Sequence, residues 1–345
     1  MKAISLAFLY NIQRIYPSLN DPQSFLEADY DDVKTIEWIV KHLKNVVKEV
    51  IPIEANKEAY LKLYEERGKI DLAFNFSLGL YGQSRYAQLP AILEMLQIPY
   101  TGSSVLTQAL LMDKGKAKEV LLANNISTPP FQLFISGEEK LNENLKFPLI
   151  VKPTARGSSA GITNQSVVRD EGSLKKQVSF VINLFNEPAL VEPFLIGREF
   201  SIAMLGNPPR ILPIIEPNHS QLPKSYERLD SLEVKWLFED TEEAKDYLGC
   251  PAKVSPELRQ KLEDLCLGTW RSLQILDWCR IDLRCDQEGN PYVLDINSPA
   301  GIMPPEVSKT SYFPVASRAA GMDYEEMLET IIETTLQRYG KKESQ

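Results

Sequence analysis

The sequence predicts a mixed α/β and α+β protein built from more than one lobe. Strand-like and helix-like segments alternate through the first third of the chain, which favours a parallel sheet covered by helices. The middle of the chain changes to strands joined by turns of small residues, a pattern typical of an α+β lobe. With 345 residues, the chain also exceeds the length at which a single hydrophobic core stops growing.

The first third follows a β-α-β-α-β order. Apolar or β-branched runs predict strands at residues 4–9, 46–53 and 70–75. Apolar residues at helical spacing predict helices at residues 31–44 and 59–67, with a further short helix at 89–96. This order predicts a parallel sheet as the first lobe.

The remaining elements follow in a different order. A helix at 113–124 precedes Thr128-Pro129-Pro130, a breaker expected to form a linker. Strands are expected at 147–151, 189–192, 199–204, 280–285 and 292–296, with helices at 174–184, 256–276 and 324–339. Residues 208–223 are rich in proline, and the charged, weakly periodic residues 224–250 favour a mobile loop.

Charge and composition exclude several classes of partner. A formal net charge of −9 argues against nucleic acid or an anionic membrane as the main partner. No apolar run approaches the roughly 20 residues of a membrane span, and residues 3–10 resemble a buried strand more than a signal peptide. The four cysteines show no CxxC spacing, which favours reduced thiols. A cytoplasmic protein is therefore expected.

Lys152 stands at the end of a predicted buried strand, just before the small-residue loop 157–161. A lysine there fixes a cation on a rigid element, and the loop offers unobstructed backbone N–H groups to phosphates. The pattern differs from the P-loop, because no lysine followed by Ser or Thr comes after the glycines. The segment is a candidate phosphate site, with a solvated hairpin turn as the alternative.

Four polar residues lie on the two strands of one predicted hairpin: Arg280, Asp282, Asp295 and Asn297. Side chains alternate along a strand, so each strand presents its two residues on one face. If the faces coincide, the carboxylate and amide oxygens form a set that Mg²⁺ prefers. Arg280 could then neutralise a transferring phosphoryl group or a tetrahedral intermediate. A solvent-facing charged hairpin is the alternative.

The chain turns at Pro193 as it leaves a predicted strand. Backbone groups from Glu192 to Leu195 could contact the edge of a purine, and Glu199 could accept a hydrogen bond from a ribose hydroxyl. This segment is a candidate nucleoside site, and an ordinary strand–turn–strand is the alternative.

In their order along the chain, these motifs resemble the D-alanine–D-alanine ligase family of ATP-grasp enzymes. The resemblance rests on Met112-Asp113-Lys114, Val151-Lys152-Pro153, Val191-Glu192 with Glu199, Arg280-Ile281-Asp282 and Asp295-Ile296-Asn297. It covers nearly the whole chain and is denser after about Leu89. It implies an ATP-grasp fold with a Rossmann-like preATP-grasp N-terminal domain at 1–112, a central subdomain at 113–205 and a C-terminal subdomain with the metal site at 206–345.

The resemblance also implies roles for single residues. ATP phosphates would contact Lys114 and Lys152, and Lys235 matches the family's phosphate-contacting loop lysine. The adenine pocket would be lined by Glu192, Phe194 and Leu195, with Glu199 at the ribose. The metal, Mg²⁺ or Mn²⁺, would be held by Asp282, Asp295 and Asn297. Ser158 would lie near the reacting groups, and Arg280 and Gly301 would serve the acyl phosphate or the tetrahedral species.

The sequence departs from the family pattern where substrates are expected. The family's first-substrate glutamate has no counterpart in residues 9–12, and its His…Glu-Asp-Gly motif is absent from residues 75–88. Trp236 stands where a tyrosine usually follows the loop lysine, and residues 302–308 lack the usual serine-bearing turn. Arg85 is a candidate for bidentate binding of a substrate carboxylate, with a surface arginine as the alternative.

The predicted function is an ATP-dependent carboxylate–amine ligase that forms an amide or dipeptide bond through an acyl phosphate, with altered substrates. A small-molecule carboxylate and an amine are the expected partners, without nucleic acid or membrane, and the resemblance implies a homodimer. Two alternatives stay open: a genuine D-alanine–D-alanine ligase of peptidoglycan synthesis, and a catalytically silent ATP-binding regulatory protein.

Overall fold

The computed structural model describes residues 3–238 and 247–340. Three sheets of three, four and four strands organise these residues, with one two-stranded ribbon beside them. Helices pack against the sheets, so the predicted mixture of α/β and α+β lobes is confirmed. Among the described residues, no helix combines the length and apolar character needed to cross a membrane.

The first sheet is parallel, with strand order β2–β1–β3. Its strands are β1 (Ser5–Tyr10), β2 (Glu49–Glu54) and β3 (Leu72–Asn75), and its helices are α1 (Val33–Val46), α2 (Ala59–Glu66) and α3 (Gln88–Met95). The predicted β-α-β-α-β order is therefore confirmed. The first helix is capped by Asp32, whose side chain accepts a hydrogen bond from the backbone N–H of Thr35.

The second sheet is antiparallel, with strand order β4–β7–β5–β6. Its strands are β4 (Gln132–Phe134), β5 (Leu149–Pro153), β6 (Val167–Val168) and β7 (Ala189–Pro193), and α6 (Glu171–Phe185) packs on it. Two helices precede this sheet: α4 (Val105–Met112) and α5 (Lys114–Ala123). No helix was predicted at α4, because its sequence is apolar almost throughout and shows little amphipathic pattern.

The third sheet is also antiparallel, with strand order β13–β12–β8–β9. Its strands are β8 (Glu199–Leu205), β9 (Arg210–Ile211), β12 (Trp278–Cys285) and β13 (Pro291–Asn297), with α7 (Pro256–Ser272) packed on it. The predicted boundary after residue 205 separates β8 from β12, its hydrogen-bonded partner. We keep the three-part division as a proposal and move that boundary ahead of β8.

The last two described helices pack back on the first sheet. Helices α8 (Tyr312–Ala319) and α9 (Tyr324–Arg338) share one buried core with α1, β1 and β3. Trp278, Phe74 and Phe313 meet in this core, with ring centroids 5.3–6.0 Å apart. The sequence predicted α9 but not α8. It also predicted that α7 extends to residue 276, whereas the helix ends at Ser272 and Gln274 adopts a left-handed φ of 52°.

Residues 224–250, predicted as a mobile loop, are only partly described. A π-helical turn spans Val234–Phe238, and β10 (Glu216–Pro217) pairs with β11 (Leu248–Gly249). Val234, Phe238 and Tyr247 are buried together, so the described part of this segment is packed. Residues 239–246 of that prediction lie outside the described residues.

Candidate active site

Glu192 is buried between two lysines. Its Oε1 lies 2.6 Å from Nζ of Lys152 on β5, and its Oε2 lies 2.7 Å from Nζ of Lys118 on α5. Burial alone would raise the pKa of Glu192, but the attraction of Lys118 and Lys152 outweighs it and lowers that pKa. Burial also lowers the pKa of Lys118 despite its pairing with Glu192. Lys118 was not predicted as a site residue, although it lies one helical turn after Lys114.

An apolar pocket opens beside this triad, lined by residues of β5, β7, β8, β12 and β13. The predicted residues Lys152, Glu192, Phe194, Leu195, Glu199, Asp282 and Asp295 all line it, together with Lys235. The guanidinium of Arg284 lies 4.9 Å from the centroid of the Phe194 ring and 3.0 Å from Glu199. A pocket that combines apolar side chains such as Phe194 with several charged groups suits a flat heteroaromatic ring carrying a polar tail.

Glu199 belongs to a polar network that the sequence analysis did not find. Nε2 of His219 lies 3.4 Å from Asp230 and 3.8 Å from Glu199. The hydroxyls of Tyr247 and Tyr312 donate to the two carboxylate oxygens of Asp230. Burial raises the pKa of Glu199, whereas hydrogen bonds and the attraction of His219 overcome burial and lower that of Asp230.

The predicted hairpin brings its four polar residues together. Asp282 pairs with Asp295 and Arg280 with Asn297 in the register of β12 and β13. Nε and Nη2 of Arg280 each lie 2.9 Å from an oxygen of Asp282, and the Asn297 amide donates to Asp282 at 2.9 Å. The solvent-facing alternative is therefore wrong, because Arg280, Asp282 and Asp295 are all at least half buried.

Asp295 couples this hairpin to the lysines. Its Oδ1 lies 3.1 Å from Nζ of Lys114, which also donates to the carbonyl of Arg156 at 2.9 Å. Burial raises the pKa of Asp295, but the charge of Lys114, followed by those of Lys152 and Arg280, overcomes this and lowers it. An ionised carboxylate beside a second carboxylate and an amide oxygen is a donor set that fits Mg²⁺ or Mn²⁺.

A second concave region, here called the cleft, lies on the other side of Arg280. Its lining joins residues 28–32, Gly157 and Ser158, Lys235 and Trp236, Arg280 and Asn297, and the segment from Pro299 to Tyr312. Lys235 lines both the cleft and the apolar pocket, so the two regions meet at this lysine. The predicted residues Ser158, Lys235, Arg280 and Gly301 therefore all line one cavity.

The small-residue loop has an unusual backbone at the cleft. Ser158 and Ser159 adopt left-handed φ angles of 48° and 56°, which cost energy in residues with a Cβ. The Ser159 hydroxyl donates to the carbonyl of Asp230 at 2.6 Å, which ties the loop to the polar network. At Gly157, an added Cβ would lie 3.2 Å from the Tyr86 hydroxyl, so this close approach favours glycine.

Arg85 is buried, so the surface alternative for it is wrong. Only 3% of the residue is exposed, one guanidinium nitrogen donates to the carbonyl of Leu78, and another pairs with Asp29. Asp29 lines the cleft, whereas Arg85 is not among the lining residues. The structure therefore favours a role for Arg85 in positioning Asp29 over the predicted direct contact with a substrate carboxylate.

Asp29 itself was missed by the sequence analysis. Its Oδ2 accepts hydrogen bonds from the Arg85 guanidinium and, at 3.4 Å, from the backbone N–H of Gly157. Its Oδ1 is buried and has no hydrogen-bond partner among residues 3–238 and 247–340. A buried oxygen without a partner costs free energy, so a donor entering the cleft would be favoured there.

A serine further along the chain returns to Gly301. Ser311 precedes α8, and its hydroxyl donates to the Gly301 carbonyl at 3.4 Å and accepts from the Met303 N–H at 3.1 Å. Gly301, Met303 and Ser311 together form one wall of the cleft.

Comparison with known proteins identifies the class. The family described as "D-ala D-ala ligase C-terminus" matches residues 121–333. D-alanine–D-alanine ligase of Pelotomaculum thermopropionicum is 31% identical over 320 residues, covering 89% of this chain and 93% of that protein. The uncharacterized protein y4sG of Sinorhizobium fredii is 33% identical over 269 residues, which cover 78% of this chain and 75% of that protein. A crystal structure of D-alanine–D-alanine ligase from Bacillus anthracis matches with a TM-score of 0.72 at 25% identity. The match covers 98% of this chain and 99% of that chain.

The fold and these relatives define an ATP-dependent ligase that forms a C–N peptide bond. The chain belongs to the D-alanine–D-alanine ligase family, as the sequence motifs predicted. The predicted ATP-grasp fold is confirmed by the same match.

Proposed function

We propose that the protein is an ATP- and Mg²⁺-dependent carboxylate–amine ligase that activates an amino acid as an acyl phosphate, with a substrate pair other than two D-alanines. The observation that carries this proposal is the junction at Lys235, where the apolar pocket and the cleft meet. A nucleotide in the pocket would thereby present its terminal phosphate to a carboxylate in the cleft.

ATP binding follows from the charges around the pocket. Phe194 and Leu195 would contact the adenine, and Glu199 would accept from a ribose hydroxyl. Lys114 and Lys152, each now paired with a carboxylate, would exchange part of that pairing for the phosphates. Because both lysines sit on regular elements, α5 and β5, their positions are set before the nucleotide arrives.

Asp282, Asp295 and Asn297 would hold Mg²⁺. The metal would supply positive charge to the phosphates and so stabilise the phosphoryl group during transfer. Arg280 is fixed by two hydrogen bonds to Asp282, which aims its remaining donors without reorganisation. Its guanidinium would stabilise the negative charge that develops on the reacting carbonyl oxygen.

The reaction then proceeds in two steps. A carboxylate oxygen of the acid attacks the γ-phosphorus of ATP, and ADP leaves. The amine then attacks the carbonyl carbon of the acyl phosphate, and inorganic phosphate leaves. Lys235 and Ser158 line the cleft from two different segments, and their closure around the substrates would keep water from the acyl phosphate.

Asp29 supports an amino acid as the acid substrate. Its unpartnered Oδ1 would accept a hydrogen bond from the substrate ammonium while the carboxylate faces Arg280. The family's usual glutamate is absent from residues 9–12, and Asp29 reaches the cleft from a later segment. Together with Trp236 in place of tyrosine, this difference supports a substrate pair that departs from the one named for the relatives.

Replacing Asp29 with asparagine should raise the KM of the acid substrate at least about tenfold, since a charge-assisted hydrogen bond contributes roughly 1.5–3 kcal/mol. Asparagine keeps an oxygen for Arg85 but removes its counter-charge, so urea unfolding would be measured beside the kinetics to separate a loss of stability from a loss of binding. Steady-state kinetics would give KM values for the acid and for ATP. A change in neither value, or an equal change in both, would remove Asp29 from the acid site.

A substrate screen tests the proposed function directly. ADP release would be measured with ATP, Mg²⁺ and pairs of D- and L-amino acids, with carboxylates lacking an amino group as controls. We expect release with an amino acid and a second amine, but not with amino-free carboxylates. ADP release with D-alanine alone would favour the alternative of a D-alanine–D-alanine ligase of peptidoglycan synthesis. No ADP release with any pair, despite ATP binding, would favour a catalytically silent regulatory protein.

A further inference from the structure

We propose that Asp31 is the general base that removes a proton from the attacking amine; this role rests on the proposed function and deepens it. At neutral pH most of an amino acid's amine is protonated, and an ammonium has no electron pair for attack. The residues assigned so far do not solve this problem. Arg280 and Lys235 are cations, and Asp282 and Asp295 are engaged by Arg280 and Lys114.

Asp31 lines the cleft, and its carboxyl group is available there. Its backbone is held by a bridge to Ile12 and by a hydrogen bond from the Gln13 N–H to its carbonyl at 2.8 Å. Within residues 3–238 and 247–340, no hydrogen bond or ion pair engages its half-buried side chain, whereas the neighbouring Asp29 is paired with Arg85 and Asp32 caps α1. The position of this carboxyl group is thus fixed without its acceptor capacity being used.

Asp31 interacts with a tyrosine that contacts the segment after Gly301. Burial, followed by the negative charge of Asp31, raises the pKa of Tyr324 on α9, so Asp31 and Tyr324 interact electrostatically. The Tyr324 hydroxyl donates to the carbonyl of Ile302, next to Gly301, at 2.6 Å. Asp31, Gly301 and Asp29, the proposed ammonium site of the acid, all line the cleft. In the proposed reaction, the attacking amine enters the cleft that Asp31 lines.

The charged groups near Asp31 favour proton uptake. Asp29 and Asp32 are carboxylates, and behind Tyr324 lies His42, which bridges Glu306 and Glu325 at 3.2 and 3.0 Å. Burial, followed by the charges of Asp32 and Asp29, raises the pKa of Asp31 to about 7. A base with a pKa near the working pH combines an available ionised form with sufficient proton affinity.

The protons balance as follows. The ionised Asp31 takes one proton from the ammonium, and the freed electron pair forms the bond to the carbonyl carbon. The carbon–oxygen bond to phosphate breaks, and the second nitrogen proton leaves with the phosphate as hydrogen phosphate. The amide nitrogen keeps one hydrogen, and Asp31 returns its proton to solvent when the product leaves.

The test compares two nucleophiles in Asp31→Asn and in the wild type. Hydroxylamine is largely uncharged at neutral pH and needs no base, so hydroxamate formation reports acyl phosphate synthesis alone. We expect Asp31→Asn to lower kcat for amide formation by about 100-fold or more while hydroxamate formation stays close to that of the wild type. Asp31→Glu, which restores a carboxyl group, should recover part of the amide rate.

The pH profile gives a readout that a merely structural role would not change. Wild-type kcat should fall below about pH 7 as Asp31 becomes protonated. The Asp31→Asn variant should lack this limb and approach the wild-type rate at high pH, where more amine is free. Asp32→Asn, which keeps an N-cap for α1, should retain the limb at a slightly lower pH.

Three results would contradict the role of Asp31. Equal losses of hydroxamate and amide formation in Asp31→Asn would indicate a structural contribution. An unchanged amide rate with an unchanged acidic limb would exclude Asp31 as the base. Failure of the wild type to make hydroxamate with any acid would overturn the proposed function, and the role of Asp31 with it.

Discussion

The Asp295→Ala variant should lose ligase activity, with kcat lowered at least about a thousandfold, or roughly 4 kcal/mol of transition-state stabilisation. Asp295 lines the apolar pocket, faces Asp282 across the hairpin and lies 3.1 Å from Lys114. Its removal would delete a metal ligand and leave Lys114 without its carboxylate partner. The measurement is kcat at saturating ATP and acid over a range of Mg²⁺ concentrations.

Two variants serve as controls for Asp295→Ala. Glu288→Ala changes an exposed carboxylate in the turn of the same hairpin and should leave kcat unchanged. Asp295→Asn keeps the shape and one oxygen ligand, so part of its activity should return at high Mg²⁺. Full activity of Asp295→Ala at every Mg²⁺ concentration would remove this residue from the metal site.

The Glu192→Ala variant should lower the free energy of unfolding by about 3–5 kcal/mol, the usual cost of breaking a buried ion pair from one side. Glu192 is 1% exposed and is the carboxylate that both Lys118 and Lys152 contact. Without it, two ammonium groups would stay buried near each other. Urea unfolding followed by circular dichroism measures the loss.

Acid should affect the wild type and this variant differently. Because the pKa of Glu192 is lowered on folding, its stabilisation is complete above the ordinary glutamate pKa. That stabilisation is lost as the pH falls through the lowered value in the folded protein, and the variant should lack this loss. Glu119→Ala, which breaks an exposed pair with Lys116, should cost less than about 1 kcal/mol. Similar costs for Glu119→Ala and Glu192→Ala would contradict the buried triad.

Local patterns allowed much of the fold to be predicted. Alternation along β12 and β13 indicated that Arg280 with Asp282, and Asp295 with Asn297, share faces, and the register of the hairpin brings these pairs together. The parallel order of β1, β2 and β3 also followed from periodicity and spacing. Helix α4 did not, because a short stretch that is apolar almost throughout shows no period that separates helix from strand. Helix α8 has Pro314 in its first turn, a residue that usually indicates a break.

Contacts between distant segments could not be predicted from the sequence. Asp29 and Arg85 lie 56 residues apart, and only the folded chain shows that one neutralises the other. Lys118 joins Lys152 through Glu192 on a third element, and Ser311 returns to Gly301 after a turn of ten residues. Family motifs identified residues that match by type and order. The substrate end of the cleft departs from those motifs, so its acidic residues escaped notice.

Transfer of oxygen-18 from the acid substrate to inorganic phosphate tests the central claim most directly. If the carboxylate attacks the γ-phosphorus, the oxygen that bridges carbon and phosphorus leaves with the phosphate. With an acid labelled in both carboxylate oxygens, we therefore expect one labelled oxygen in each phosphate released, measured by phosphorus-31 NMR. Unlabelled phosphate formed together with amide would contradict an acyl phosphate, and with it the proposed roles of Arg280, Lys235 and Asp295.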